Sequence, residues 1–115
     1  MTKADLFVNQ EGLILGFRIS GHTGYSVAGS DIVCAGLSSL SITCVNALES
    51  VAGVTPEIHS NDDGYLEAWL PKRISPSSMH DSQVILSVLR QGLQDLTEAY
   101  PQYVKLSILE RRETK

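Results

Sequence analysis

Cysteine is scarce in this chain, with only Cys34 and Cys44 among 115 residues. Both fall within one stretch of helical periodicity, where ten residues rise about 15 Å, far beyond disulfide reach. The expectation is two free thiols, as a reducing compartment keeps them. Positive charge is also short. Nine Lys and Arg against 13 Asp and Glu give a net charge of −4, so the chain as a whole offers no basic field for a phosphate backbone. The N-terminal residues Met1 to Gln10 lack the apolar core of a secretion signal. No apolar run approaches the roughly 20 residues that cross a bilayer. A cytoplasmic protein is the expectation. The glycines at positions 21, 24 and 29 are not followed by the Gly-Lys-Ser/Thr ending of a phosphate loop. His22, His59, His80 and the cysteines show no paired ligand spacing, so neither a structural metal nor another cofactor is expected. There is no linker, internal repeat or low-complexity segment. At 12.5 kDa, residues 1–115 are expected to form one domain around one core.

What the chain does have is periodicity. Leu6 to Val8 reads as the centre of a first strand, Asn9 to Gly12 as a turn and Leu13 to Ser20 as a second strand. In the second, Leu13, Leu15, Phe17 and Ile19 share one face, with Ile14 an apolar exception on the other. That predicts a hairpin covered on one face. A helix follows from about Asp31 to Ala52, where Val33, Leu37, Leu40, Cys44, Leu48 and Val51 recur at helical steps before Gly53. Two strands are predicted around Val54 to His59 and Tyr65 to Leu70, joined by a turn from Ser60 to Gly64. Tyr65, Glu67 and Trp69 alternate on one strand face and read as exposed sheet surface. After a loop containing Pro71 and Pro76, Ser78 and Asp81 form an acidic variant of a capping box. The second helix then carries Met79, Leu86, Leu89, Leu93, Leu96 and Tyr100 as its stripe, and Pro101 ends it. Val104, Leu106 and Ile108 alternate as a last strand. The order ββαββαβ predicts an α+β sandwich, a mostly antiparallel sheet with both helices on one face.

The chemistry concentrates between Gly21 and Ser38. Here His22 stands where a strand ends and Cys34 where a helix begins. A thiol in the first turn of a helix meets unpartnered N–H groups and the positive end of the peptide dipoles, which favour thiolate. Cys34 also lies off the core stripe and shares its face with Ser38 and Ser41, whereas Cys44 sits among the leucines. The buried-hydrophobe reading of cysteine therefore suits Cys44, and Cys34 is the candidate nucleophile. A folded loop could bring His22 to it as proton partner. Asp31 has two readings, a plain N-cap or a group that orients His22, of which capping is the safer. Ser38, one turn after Cys34, either packs or touches thiolate or substrate.

Gly21-His22, Gly29, Asp31-Ile32-Val33-Cys34-Ala35 and Ser38 together resemble the ribosomal-processing cysteine protease family. Asn46-Ala47-Leu48-Glu49 and Asp63-Gly64-Tyr65 fit the same family, and the resemblance runs over essentially the whole chain. It implies a small endopeptidase that removes the short N-terminal extension of a large-subunit ribosomal protein, cleaving after an aromatic-rich stretch. By the same resemblance His22 and Cys34 are the catalytic pair, with Asp31 and Ser38 in support; at the helix start, Ala35 offers a backbone N–H beside the thiol. Gly21, Thr23, Gly24, Tyr25, Gly29 and Ser30 belong to the substrate loop, expected to be mobile from Thr23 to Ser30. A homodimer is implied, with no direct nucleic-acid or membrane partner. Thr23 stands where alanine is usual and Gly36-Leu37 where Ala-Val is usual; both bear on loop fit and remove no catalytic group. Two other readings are a non-catalytic ribosome-assembly binding protein and a small thiol-dependent acyl hydrolase.

Overall fold

The computed structural model describes residues 1–21 and 32–111. Its elements run β1 (Thr2–Val8), β2 (Ile14–Ser20), α1 (Ile32–Ser50), β3 (Glu57–Asn61), β4 (Tyr65–Trp69), α2 (Pro76–Ala99) and β5 (Val104–Glu110). The five strands form one sheet in the order β3-β4-β2-β1-β5. Three of its pairings are antiparallel, and β5 joins β1 in parallel. That is the expected α+β sandwich. Ala4, Leu6, Phe17, Ile19, Ala68 and Val104 bury one sheet face against the helical stripes, Val33, Leu37, Cys44 and Leu48 from α1 and Leu86, Leu89 and Leu93 from α2. The two helices approach closely at glycine. A Cβ on Gly92 would lie 2.6 Å from Leu40 Cδ2.

Several local expectations shift, each for a physical reason. Phe7 opposes Gly16 and Val8 opposes Ile14, so Leu15 is an extra residue in the β1–β2 ladder. Such a bulge reverses the side-chain parity before it. Ile14 is therefore core (3% exposed) beside Phe17 and Ile19, while Leu13 and Leu15 are only half-buried. The Gln83 side chain holds this strand start by accepting from the Ile14 N–H and donating to its carbonyl, both at 2.8 Å. β3 begins three residues later than predicted, after Pro56, because proline lacks the N–H a ladder needs. In α1 the stripe ends at Leu48: Val51 is exposed, and Ala52 and Val54 fill the core instead. The α2 cap lies one turn earlier than the Ser78–Asp81 box, since Ser75 Oγ accepts from the Ser78 N–H and Pro76 takes the first helical turn.

The expectation about apolar length is also corrected. By length and composition alone the 19-residue α1 is apolar enough to cross a membrane. Interspersed Ser, Thr and Gly disguise the run without adding charge. In the fold, Val33, Leu37, Ser41, Cys44, Val45 and Leu48 of this helix are buried.

The hairpin is covered on both faces, not one. Opposite the helices, the Phe7 and Trp69 rings stack at 4.7 Å between centroids and 21° between planes. The Arg111 guanidinium sits 4.5 Å from the Trp69 ring centre, and Arg18 lies 5.3 Å from that of Phe7 while pairing with Asp5 at 3.0 Å. The Glu67 carboxylate accepts from both the Tyr65 hydroxyl and the Trp69 indole N–H. Trp69 reaches across because Gly16 leaves room: a Cβ there would meet Trp69 Cε3 at 2.5 Å and the Ala68 carbonyl at 2.7 Å.

Two predictions follow from this outer layer. Gly16→Ala should cost about 1–3 kcal/mol by overpacking, read as a lower denaturation midpoint with altered Trp69 emission; an unchanged midpoint would contradict the close approach. The second concerns pH. Hydrogen bonds from Tyr65 and Trp69 hold the Glu67 carboxyl below the usual glutamate range. A depressed folded value means stability that is present above the unfolded pKa and lost as pH falls through the folded one. The stability gap between the parent and Glu67→Gln should therefore narrow on acidification, followed by thermal melts across pH. A gap that stays constant into acid would contradict the charge-assisted role.

Candidate active site

The rotation of α1 sets the position of its thiol. Successive helical residues turn by about 100°. Burying Val33 and Leu37 (1% and 3% exposed) beneath the helix leaves Cys34 and Ser38 toward its flank. Cys34 is the third residue of α1, in the turn whose N–H groups have no helical acceptors. It is half-buried, and Ala35 and Ser38 are exposed. Cys44 lies ten residues on, within the core stripe, 5% exposed with its Sγ 3.9 Å from the Ile85 carbonyl oxygen. Burial pushes the Cys44 thiol up from its ordinary value. The two cysteines thus separate as their helical faces predict.

Cys34 opens into a groove of about 470 Å³. One wall is the first three turns of α1, through Cys34, Ser38 and Ile42; the base includes Ile19 and Leu66. The opposite wall is the β3–β4 hairpin tip from Ser60 to Tyr65. Antiparallel pairing of β2 with β4 brings that tip to the site, since Ser20 faces Tyr65 in the register. The tip is stiffened locally: Asn61 Oδ1 accepts from the Asp63 N–H at 2.8 Å, and Gly64 adopts φ +78°. Its Gly64 carbonyl accepts from the Gly21 N–H at 3.0 Å. Gly21 has φ +93°, and a Cβ there would lie 2.8 Å from the Met1 carbonyl oxygen. The residue immediately before His22 is thus hydrogen-bonded to the hairpin and leaves no room for a side chain beside the backbone that leads into β1.

Of the residues singled out in the sequence, Gly21, Cys34 and Ser38 line this groove, and Ala35 lies next to the thiol on α1. His22, Thr23, Gly24, Tyr25, Gly29, Ser30 and Asp31 lie outside the described residues. Sequence reasoning missed the hairpin wall. Its only trace was the Asp63-Gly64-Tyr65 turn, which carried no chemical role. A first-turn thiol lining an open groove suits a nucleophile that substrate can reach.

Comparison with known proteins agrees. The profile of the family described as cysteine protease Prp matches residues 1–105. The ribosomal processing cysteine protease Prp of Staphylococcus aureus is 30% identical over 107 residues, covering 93% of this chain and 98% of that protein. Among solved structures, a Streptococcus mutans protein matches with a TM-score of 0.83 at 31% identity, covering 96% of each chain. The S. aureus ribosomal processing protease, in complex with a covalently linked product peptide, matches with a TM-score of 0.85 at 28% identity, covering 94% of this chain and 99% of that one. The chain is a cysteine protease. It belongs to the Prp family.

The different surroundings of the two thiols predict their reactivity. In the native protein an alkylating reagent should modify Cys34 quickly, and Cys44 only after denaturation, as peptide mapping by mass spectrometry would resolve. Equal native labelling would contradict the assignment of helical faces.

Proposed function

We propose that the chain removes the short N-terminal extension of a large-subunit ribosomal protein, cleaving after an aromatic-rich stretch. The observation that carries this reading is Cys34 on the first turn of α1, at the wall of a groove of about 470 Å³ between that helix and the β3–β4 hairpin tip. The relative crystallised with a covalently linked product peptide supports it.

In this mechanism the Cys34 thiolate attacks the scissile carbonyl carbon, forming a carbon–sulfur bond as the carbonyl electrons move onto oxygen. Backbone N–H groups at the start of α1, near Cys34 and Ala35, stabilise that oxyanion. Protonated His22 gives its proton to the leaving amine, and the carbon–nitrogen bond breaks to leave a thioester. Water then attacks the thioester, His22 takes up its proton, and the acid product leaves Cys34. Asp31 either caps α1 or orients His22, and Ser38 lies where it meets thiolate or peptide. Gly21, Thr23, Gly24, Tyr25, Gly29 and Ser30 contact the substrate. The protein works in the cytoplasm as a homodimer, without a direct nucleic-acid or membrane partner; two cysteines outside any disulfide and a net charge of −4 support that setting.

Incubation with the unprocessed ribosomal protein tests the assignment. Cys34→Ala should abolish cleavage while keeping the parental fold, because a flank residue carries little packing. His22→Ala should lose about 100-fold or more, the usual share of a general acid–base. Mass spectrometry of the product locates the cut. Parental-rate cleavage by either variant would overturn the mechanism.

A further inference from the structure

A large apolar side chain standing singly in water is ordinary on a protein surface. Ile42 is 52% exposed in a more particular place, because it lines the same groove as Cys34. Cys34, Ser38 and Ile42 stand at i, i+4 and i+8 of α1, which makes them one ridge along the helix. Helical side chains tilt toward the N-terminus, so Ile42 leans along that ridge toward the thiol. The core has no need of it: Val33, Leu37, Ser41, Cys44, Val45 and Leu48 supply the buried face of α1. The floor beneath the ridge is also apolar. Leu66 pairs directly with the core residue Ile19, which places both side chains on the helix-facing side of the sheet, and both line the groove.

We propose that Ile42 is a specificity-determining residue of this protease: it selects an apolar side chain three or four residues before the scissile bond. The inference rests on the reading of the Cys34 groove as the peptide site and adds a position to it. Spacing supplies that position. The eight residues from Cys34 to Ile42 rise about 12 Å along the helix, and an extended peptide covers about 3.3 Å per residue. A substrate lying along α1 with its scissile carbonyl at Cys34 therefore brings its third or fourth residue to Ile42. Successive side chains of an extended chain point to opposite sides, so one of the two meets Ile42 and the other does not. The side before the bond is the one that carries the recognised apolar stretch in the proposed reaction. Contact there removes apolar surface of both partners from water. An alanine at that substrate position loses the contact, and a lysine sets a charge against a wall with nothing to pair it.

The experiment measures kcat/KM on peptides spanning the cleavage site, in which the residues around the bond are changed one at a time to Leu, Ala or Lys. The enzymes are the parent, Ile42→Ala, Ile42→Glu and Val84→Ala, the last altering an equally exposed valine on α2 that lies outside the groove. Cys34→Ala serves as the inactive control, and melting temperatures report folding. With the parent, Leu should exceed Ala about tenfold at one position, the third or the fourth before the bond, which is the low end of what apolar contacts give in a pocket. In Ile42→Ala that preference should shrink to about twofold, because the two changes remove the same contact. Ile42→Glu should reverse it, so that Lys outruns Leu at that position, while Val84→Ala keeps the parental pattern. A structural role for Ile42 would move the melting temperature and leave the preference at that position unchanged. The inference is overturned if Ile42→Ala retains the parental preference. It is equally overturned if the preference that Ile42 controls lies elsewhere in the peptide, after the bond included. If Ile42→Ala fails to fold, the exposed substitution Ile42→Glu decides alone. A parent that cleaves none of the peptides, or a Cys34→Ala variant that cleaves them, overturns the catalytic groove itself and this inference with it.

Discussion

The rotation of α1 about its own axis is the constraint on which the site depends. Val33, Leu37, Cys44 and Leu48 must all be buried to close the core. A helix that satisfies them has no freedom left in where it places the residues between. Cys34 and Ser38 fall at the flank, facing the β3–β4 hairpin across the groove. A rotation of one residue would exchange them with core positions and strand the thiol in apolar packing. The hydrophobic stripe therefore does two things. It supplies the burial that stabilises the sandwich, and it aims the nucleophile.

The sheet supplies the facing wall by a separate route. Over β1, β2 and β4 its helix-free side is partly covered by its own side chains, the Phe7–Trp69 stack with Arg18 and Arg111 over it and Glu67 bridging to Tyr65. Gly16 is what admits the Trp69 ring to that layer. The same strands deliver Tyr65 to the groove and hold Gly21 through the Gly64 carbonyl. Stability on one face of the sheet and geometry at its end are thus carried by neighbouring residues of β4.

Much of this was legible in the sequence wherever one element decided the outcome. The helical spacing of α1 separated Cys34 from Cys44 without any tertiary information, and the ββαββαβ order followed from periodicity and turn residues. What alternation could not reveal was the bulge at Leu15, because a one-residue insertion leaves the pattern apolar while reversing which residues face the core. Competition between neighbouring signals hid two boundaries: Ser75-Pro76 outranks Ser78–Asp81 as the α2 start, and Pro56 delays β3. The hairpin wall was hidden for a different reason. Ser60 to Tyr65 lie more than 25 residues from Cys34 in the chain, and only the β2–β4 pairing makes them neighbours. Tyr65, Glu67 and Trp69 looked like plain surface because alternation shows a shared face and says nothing of a shared hydrogen-bond acceptor.

The most direct test of the account is covalent trapping. A peptide carrying the aromatic-rich segment with a chloromethyl ketone at its C-terminus places a ketone where the scissile carbonyl would lie and, one bond beyond it, a methylene that gives up chloride to a thiolate. Incubated with the native protein and mapped by mass spectrometry, it should leave a single adduct on Cys34, prevented by an excess of uncleaved substrate. An adduct on Cys44, or none on either cysteine while the protein remains folded, would contradict an α1 rotation that aims Cys34 into the peptide groove.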